Sequence, residues 1–369
     1  MGAASALALA GSLLPAAADN LSDAYRLVLS NPADSDVNLQ YALVAEGNRK
    51  WRLALAAYER ILANDPHNAA ALRGLQRVRR IIQPPSTLWR TEVGTSYVTN
   101  PLESSMGADP EFFAYGSIRV TDERNLFNQR WRSTVRLYGE GHFEQSDLSN
   151  ILASADTGPI IDLPGTLFDI HPAVGVAASY FEGRYAYSEV NVASTIEGYL
   201  DGTTQWARIR GGYRQYDPFF TSDSGFYAGL DGRLVRKGFT DDRDVVSVAP
   251  WFLWSDINGY VLNATSNQIT PGRYMAGGAR FEYDLVVAPR VTIGPFVQVS
   301  DWRFGDLAPD GTHRRDMLVS PGISLLFSDI FKLAQTDLRI DYRYDHNDSN
   351  DPTHDYTNQQ VTVAIVTRR

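Results

Sequence analysis

The sequence predicts a multidomain α+β protein in which a short all-α domain precedes an antiparallel transmembrane β-barrel of about 14 strands. Apolar residues recur with helical spacing up to about residue 82 and alternate with a period of two from there to the end. The double proline Pro84–Pro85 separates the two patterns. The 19 Tyr, 16 Phe, 7 Trp and 29 Gly suit strands that carry aromatic belts and end in tight turns.

Charge and composition exclude several classes of function. The 34 Lys and Arg against 43 Asp and Glu give a net charge of −9, so nothing favours sequence-independent binding to nucleic acid. The absence of cysteine excludes disulfide scaffolds, thiol nucleophiles and thiolate metal sites. The six histidines are scattered along the chain, so the sequence predicts neither a metal site nor a cofactor.

Residues 1–18 are predicted to be the remnant of a secretory signal peptide. They form an apolar run that closes on Ala16–Ala18, although the basic start of such a signal is missing. A flexible Ala-rich leader is the alternative. No later window offers the roughly 20 unbroken apolar residues of a membrane helix.

The helical domain is predicted over residues 19–82. Pro32 and Pro66 lie 34 residues apart, which is the period of tetratricopeptide repeats. Ala54 and Tyr58 fall where this repeat packs a small and an aromatic side chain. A plain helical hairpin is the alternative. The predicted helices are Asn20–Asn31, Val37–Glu46, Trp51–Asn64 and Ala69–Ile82.

Residues 83–87 are predicted as a linker and residues 88–369 as the barrel. In Thr336–Asp345, apolar residues at even positions alternate with Arg and Asp at odd positions. Strands of this kind run about 10–13 residues, the length of a tilted bilayer crossing. Dense Arg, Asp and Glu on one face favour a water-filled lumen, with the apolar face towards lipid. A soluble β-sandwich or a carbohydrate-binding barrel is the alternative.

Thirteen strands can be counted, whereas single-chain bacterial barrels have even numbers. The stretch Ser146–Leu167 is long enough to hold a missed strand such as Thr157–Leu163, which gives 14; the alternative is 12. Short turns, Gly238–Asp244 and Val287–Arg290, fall at one end of the strands. Longer loops fall at the other: Asp217–Gly225, Ser255–Arg273, Arg303–Arg315 and Asp345–Thr357. This asymmetry predicts a periplasmic position for the helical domain.

Charged residues on the polar strand faces are the candidate lumen-lining set. Such a wall offers exchangeable hydrogen bonds without a deep free-energy minimum that would trap the cargo, as transport requires. The alternative is a set of salt bridges that only fill the barrel. The arginines are Arg132, Arg136, Arg208, Arg210, Arg214, Arg280, Arg339 and Arg343, and the counter-charges are Glu140, Glu282, Asp284 and Asp341.

Candidate catalytic sites are weak, and no enzyme activity is predicted; an outer-membrane hydrolase of lipid or sugar is the alternative. The chain contains no nucleophile elbow, phosphate-binding loop, paired-histidine zinc motif or dinucleotide fingerprint. Glu282 and Asp284 share a strand face, as the paired carboxylates of a glycosidase require, but Arg280 beside them favours charge pairing. Asp345–Asp351 has calcium-like acidic spacing but lacks the central Gly and final Glu of an EF-hand loop. It is predicted to be a solvated loop.

Together these features resemble outer-membrane proteins with an N-terminal periplasmic tetratricopeptide segment and a C-terminal barrel. This group includes the surface lipoprotein assembly modifiers and the polysaccharide export porins. The resemblance depends on Ala54, Tyr58 and Pro66 in the helices, on the opening strand and loop Glu92–Pro101, and on the closing hairpin Tyr342–Pro352. The size of the chain fits the assembly modifiers better.

The resemblance implies an outer-membrane barrel that exports or helps assemble a surface macromolecule. The partners implied are outer-membrane lipid and a periplasmic protein or secreted cargo, which the helical domain would recruit. An Arg-rich lumen leaves acidic polysaccharide open as cargo. The alternatives are a polysaccharide export porin and a plugged scaffolding protein.

Overall fold

The computed structural model divides into two units: a helical unit of residues 1–84 and 162–167, and a barrel unit of residues 85–161 and 168–369. It describes residues 14–82, 85–107, 109–126, 129–163, 166, 168–200, 203–218, 224–257, 273–307, 311–330 and 335–369. Most of the predicted signal remnant, residues 1–13, therefore lies outside the described residues, as do residues 83–84 of the predicted linker.

Four helices form the helical unit: α1 Leu14–Ser30, α2 Ser35–Gly47, α3 Trp51–Asn64 and α4 Ala69–Ile81. Helix α1 begins inside the predicted signal segment; the other three lie within two residues of their predicted bounds. Asp34 starts α2, because its carboxylate accepts the backbone amides of Asp36 (2.8 Å) and Val37 (3.1 Å). None of the described helices is both long and apolar enough to cross a membrane.

Small residues let the helices approach each other closely. Ala42, Ala45 and Ala54 are fully buried, and the ring of Tyr58 fills the space between them and α4. A Cβ atom on Gly74 would lie 2.2 Å from that ring, so only glycine fits there. Pro66 is exposed in the connection between α3 and α4. Ala54 and Tyr58 are thus core residues, and Pro66 lies at a helix boundary.

The described residues of the barrel unit form a closed antiparallel barrel of fourteen long strands, as predicted. The ring is continuous because the first strand β1 pairs with the last strand β15, and β4 pairs directly with β6. The strands are β1 Ser86–Val98, β2 Glu111–Leu126, β3 Gln129–His142, β4 Asn150–Pro159, the two-residue β5 Ile161–Asp162, β6 Phe168–Phe181, β7 Arg184–Leu200, β8 Thr203–Tyr216, β9 Gly225–Lys237, β10 Val245–Ser255, β11 Tyr274–Ala288, β12 Val291–Leu307, β13 His313–Phe327, β14 Thr336–Ser349 and β15 Tyr356–Arg368.

The strand missed in the sequence count is β4, which lies within the predicted stretch Ser146–Leu167, although not at the example position given for it. Thr157–Leu163 overlaps only the end of Asn150–Pro159. The apolar alternation of β4 is weak because Ala153 and Ala155 follow Ile151 on the outward side, and small residues give little signal.

The two ends of the barrel differ in their connections. At one end, here called the turn end, residues 238–244 and 289–290 join neighbouring strands, and the chain enters at Ser86 and leaves at Arg368. At the other, the loop end, connections include residues 99–110, 217–224 and 350–355. The loop end also has one tight turn, Glu182–Gly183, in which both residues have positive φ (53° and 70°).

The barrel reverses the burial pattern of a water-soluble protein. Val93, Val190 and Ile209 are 66%, 65% and 61% exposed on the outer face. Polar inward side chains such as Ser300 and Asn358 are only 2% exposed. A β-sandwich would bury the apolar face between two sheets, whereas here one sheet closes on itself. The soluble sandwich alternative is therefore wrong.

Candidate functional site

The charged inner face of the barrel is the candidate site. Residues alternate across each strand, so the side opposite the exposed apolar residues faces the interior. All twelve predicted lining residues lie on this side and line interior cavities. Cavity 1, of about 550 Å³, is lined by Arg280, Glu282, Asp284, Arg339, Asp341 and Arg343. Cavity 2, of about 480 Å³, is lined by Arg132, Arg136, Arg208, Arg210 and Arg214. Glu140 lines a smaller space of about 150 Å³ near the loop end, here called the mouth.

Arg339 organises the wall of cavity 1. Its guanidinium donates to Glu92 at 2.6 Å and to Asp341 at 2.7 Å. The hydroxyl of Tyr115 donates to the same Glu92 carboxylate at 2.9 Å. One arginine therefore links strands β14 and β1 across the closing seam of the barrel.

Stacking and weaker pairing hold the other side of cavity 1. Arg280 lies 3.6 Å above the ring of Phe296 and contacts Glu282 at 3.3 Å. Glu282 is thus held in a charge pair beside Asp284, which lines the same cavity. For Glu282, this arrangement agrees with the charge-pair interpretation.

Four arginines of cavity 2 pair with carboxylates on other strands. Arg132 donates to Glu123 (2.6 Å) and to Glu197 (2.5 Å), the latter from across the cavity on β7. Three further pairs follow the same scheme: Arg136–Asp156 at 2.6 Å, Arg208–Asp231 at 3.0 Å and Arg214–Glu189 at 2.8 Å. Arg214 also lies over the ring of Tyr187.

Hydrogen bonds near the mouth involve the predicted Glu140 and also Glu111, which the sequence did not single out. Glu111 is 1% exposed, and its carboxylate contacts Nδ1 of His142 at 2.7 Å. Glu140 accepts hydrogen bonds from Tyr138 and Asn150. The connection after β1 is fixed to the wall, since the Asn100 amide donates to Asn358 at 2.9 Å.

Most acidic partners of the predicted arginines were missed. They are Glu92, Glu123, Asp156, Glu189, Glu197 and Asp231, and the missed arginines of the cavities include Arg90, Arg119 and Arg233. All lie at the inward parity of their strands, so the alternation itself was a usable signal. Sequence reasoning followed only the four strands with the cleanest alternation.

The arrangement of the described residues does not strengthen the weak metal and catalytic candidates. Within the described residues, no group of three or more His, Asp or Glu could hold a metal ion. Asp351 of the acidic loop instead accepts the Thr353 backbone amide at 3.0 Å and contacts His354 Nδ1 at 2.9 Å. Asp345 pairs with Arg343 at 3.0 Å.

The helical unit carries a second candidate surface. Arg77 binds Glu46 through two hydrogen bonds of 2.8 and 2.6 Å, and Tyr58 donates its hydroxyl to the same carboxylate. Burial and the Glu46 carboxylate raise the pKa of Tyr58 above its usual range. A groove of about 560 Å³ beside this cluster is lined by apolar residues that include Leu39, Leu43 and Trp51.

Comparisons with known proteins concern the barrel. No protein-family model and no curated protein sequence matches the chain. Solved structures that resemble it include the outer membrane protein OpdK from Pseudomonas aeruginosa (TM-score 0.40, 10% identity, covering 77% of this chain and 99% of that one). OccAB4 from Acinetobacter baumannii has a TM-score of 0.41 and 8% identity, covering 78% and 99%. A loop-deletion mutant of OmpT, an outer membrane protein of Vibrio cholerae, has a TM-score of 0.39 and 9% identity, covering 77% and 99%.

Proposed function

We propose that this protein is an outer-membrane conduit that carries a macromolecule through its ionic interior to the cell surface. The observation that supports this most strongly is the reversed burial of the barrel, with apolar side chains exposed outside and charges enclosed inside. Exposed Val and Ile in such numbers are costly in water and favourable in lipid. A closed barrel is also one of the two folds that satisfy every backbone group in a bilayer.

Orientation follows from the connections. Bacterial barrels place short turns in the periplasm and longer loops outside. The chain enters the barrel at the turn end, so this rule assigns the helical unit to the periplasm. In that position it would meet cargo or a partner before the barrel does.

The paired charges suit passage better than tight binding. Arg339 holds two carboxylates and Arg132 holds two more, so a passing group can replace one partner while the other remains. Such exchange keeps the binding free energy at any single position small, which both loading and release require. The proposal therefore includes no covalent step.

The helical unit is proposed to recruit the cargo or an assembly partner, as in tetratricopeptide domains. Leu43 and Leu53 are 52% and 44% exposed on this unit, and the groove beside Trp51 is apolar. Arg73 adds positive charge at its edge, whereas Arg77 is paired with Glu46. These features suit a polypeptide with apolar and acidic side chains.

Conductance in planar bilayers tests the conduit. The full-length protein should give discrete conductance steps, and Arg339→Ala should enlarge them because it removes a side chain from cavity 1. Arg124→Ala is the matched control, since Arg124 is 52% exposed and pairs with Asp122 away from the cavities. A folded barrel that stays silent would instead support the plugged scaffold.

A further inference from the structure

Four arginines oppose one another across neighbouring strands, and we call them the arginine row. In the strand register, Arg368 of β15 lies opposite Arg90 of β1, Arg90 lies opposite Arg119 of β2, and Arg119 lies opposite Arg136 of β3. Each of the four lines an interior cavity, so all four side chains are on the inner face.

Such a row destabilises the folded barrel when no ligand is bound, because the four positive charges repel one another. Residues directly opposite in antiparallel strands have Cα atoms about 4.5–5.5 Å apart, and like charges in that position are destabilising. Two other inner-face arginines avoid the conflict: Arg132 lies opposite Glu123, and Arg208 lies opposite Asp231.

The outer face shows how such a conflict is otherwise resolved. Arg303 and Arg315 lie opposite each other there, and both contact Asp301 between them, at 2.9 and 2.7 Å. The arginine row has no equivalent shared carboxylate among the described residues.

Neutralisation is weakest in the middle of the row. Arg136 contacts Asp156 at 2.6 Å and Arg368 contacts Asp337 at 3.3 Å. Arg90 reaches Glu92 at 3.4 Å, but Arg339 already binds that carboxylate. Among the described residues, Arg119 forms no ion pair with any carboxylate, and its side chain is exposed to the interior.

The row connects the turn end with the interior. Arg368, Arg90 and Arg119 line a cavity of about 690 Å³ near the turn end, where β15 finishes. Arg119 and Arg136 line cavity 2, so Arg119 belongs to both spaces. His171 lines cavity 2 as well; it is only 5% exposed, and its Nε2 has no hydrogen-bond partner among the described residues.

We propose that the arginine row is an anion-binding track that loads solutes bearing oxyanion groups from the turn end into cavity 2. Guanidinium groups match carboxylate and phosphate oxygens with two parallel hydrogen bonds, and an oxyanion between neighbouring arginines removes their repulsion. This inference rests on the proposed conduit, because it names the class of solute and where that solute binds first.

Calorimetric titration of the full-length protein in detergent tests the track. The probes are trigalacturonate, which carries carboxylates, inorganic phosphate, and a neutral trisaccharide. Wild-type protein should bind at least one anionic probe, and the tighter one identifies the oxyanion source. Arg119→Gln should weaken that binding about tenfold, as expected for loss of a charged hydrogen-bonding partner. Equal affinity for the neutral trisaccharide would overturn the proposal.

Arg243→Gln is the matched control, since Arg243 lies in the turn between β9 and β10 and is 69% exposed. It should leave binding unchanged. Arg119→Gln should also melt at or above the wild-type temperature, because it relieves repulsion; a purely structural Arg119 predicts a lower melting temperature. Unchanged anion affinity in folded Arg119→Gln would refute the track.

Bilayer recordings separate failure of the track from failure of the conduit. In a salt gradient, Arg119→Gln should shift the reversal potential towards lower anion preference, and Arg119→Lys should keep most of that preference because the charge remains. A silent wild-type barrel refutes the conduit, while the titration still decides the track. A conducting barrel whose selectivity and anion binding ignore Arg119 refutes the track alone.

Discussion

Arg77→Met in the helical unit leaves the Glu46 carboxylate in a largely buried site with Tyr58 as its remaining partner. The wild-type guanidinium makes hydrogen bonds of 2.8 and 2.6 Å to the two Glu46 oxygens. Methionine keeps most of the side-chain volume, so the change removes charge and hydrogen bonds more than packing. We expect the helical unit to lose stability while the barrel does not.

The magnitude follows from burial. Breaking a fully buried ion pair costs about 3–5 kcal/mol because one charge stays unpaired. The Arg77 and Glu46 side chains are 16% and 13% exposed, so water screens part of that cost. We expect about 2–3 kcal/mol in the free energy of unfolding of this unit, and a factor of ten in equilibrium is about 1.4 kcal/mol. Amides in α2–α4 should therefore exchange hydrogen roughly 30 to 150 times faster.

Hydrogen exchange read by mass spectrometry on the full chain measures this, with barrel peptides as an internal reference. Arg79→Met is the control on the same helix: Arg79 pairs with Glu59 at 3.1 Å, but the side chains are 60% and 50% exposed. Exposed pairs contribute about 0–1 kcal/mol, so exchange should change little. Equal acceleration by both variants would refute the argument from burial.

Three further variants follow from close contacts. Gly74→Ala should destabilise the helical unit by about 1–3 kcal/mol in thermal unfolding, because its Cβ would lie 2.2 Å from the buried Tyr58 ring. Gly158→Ala should reduce the fraction of folded barrel on heat-modifiability gels, because its Cβ would lie 1.8 Å from the Pro172 backbone oxygen. Asp244→Asn should speed hydrogen exchange in the β9–β10 turn, since Asp244 accepts the backbone amides of residues 239–241. Burial raises the pKa of Asp244, but the hydrogen bonds from Thr240 and Tyr283 outweigh it and hold that pKa below its usual range. The stabilisation is therefore present above the unfolded pKa of about 3.9 and is lost as pH falls below it.

Matched variants separate these effects from general sensitivity. Gly47→Ala and Gly141→Ala place a Cβ where no atom lies within 4 Å, so both should fold like wild type. Asp242→Asn changes the same turn without touching the amides that Asp244 accepts. If one of these three controls destabilised the protein as much as the variant it is matched to, the contact tested by that variant would not explain its effect.

Strand identity was predictable because lipid outside and charge inside impose a strict alternation. It was legible in β14, where Leu338 and Ile340 alternate with Arg339 and Asp341. It failed at β4, where alanines carry no strong preference for either face. In the helices, the spacing of Ala54 and Tyr58 was sufficient to place both residues in the core, because small and aromatic side chains pack there in a recognisable order.

The pairing of charges was not predictable to the same degree. Parity assigns a residue to the interior but not to a partner, because the partner depends on strand register. Arg132 binds Glu197, which lies on β7 far along the chain, and no local sequence pattern predicts that contact. The arginine row was invisible for the same reason: Arg90, Arg119 and Arg136 are ordinary strand residues until register places them side by side.

Cysteine accessibility along β15 in lipid vesicles tests the central claim most directly, and a chain without cysteine needs no background removed. Single substitutions Val361→Cys, Val363→Cys and Ile365→Cys lie on the outer face, while Gln360→Cys and Thr362→Cys line cavity 1. Labels at the first three should be quenched by brominated lipid and resist a charged thiol reagent, and the last two should show the reverse. Uniform reaction with the charged reagent at all five positions would contradict a barrel seated in lipid around an ionic interior.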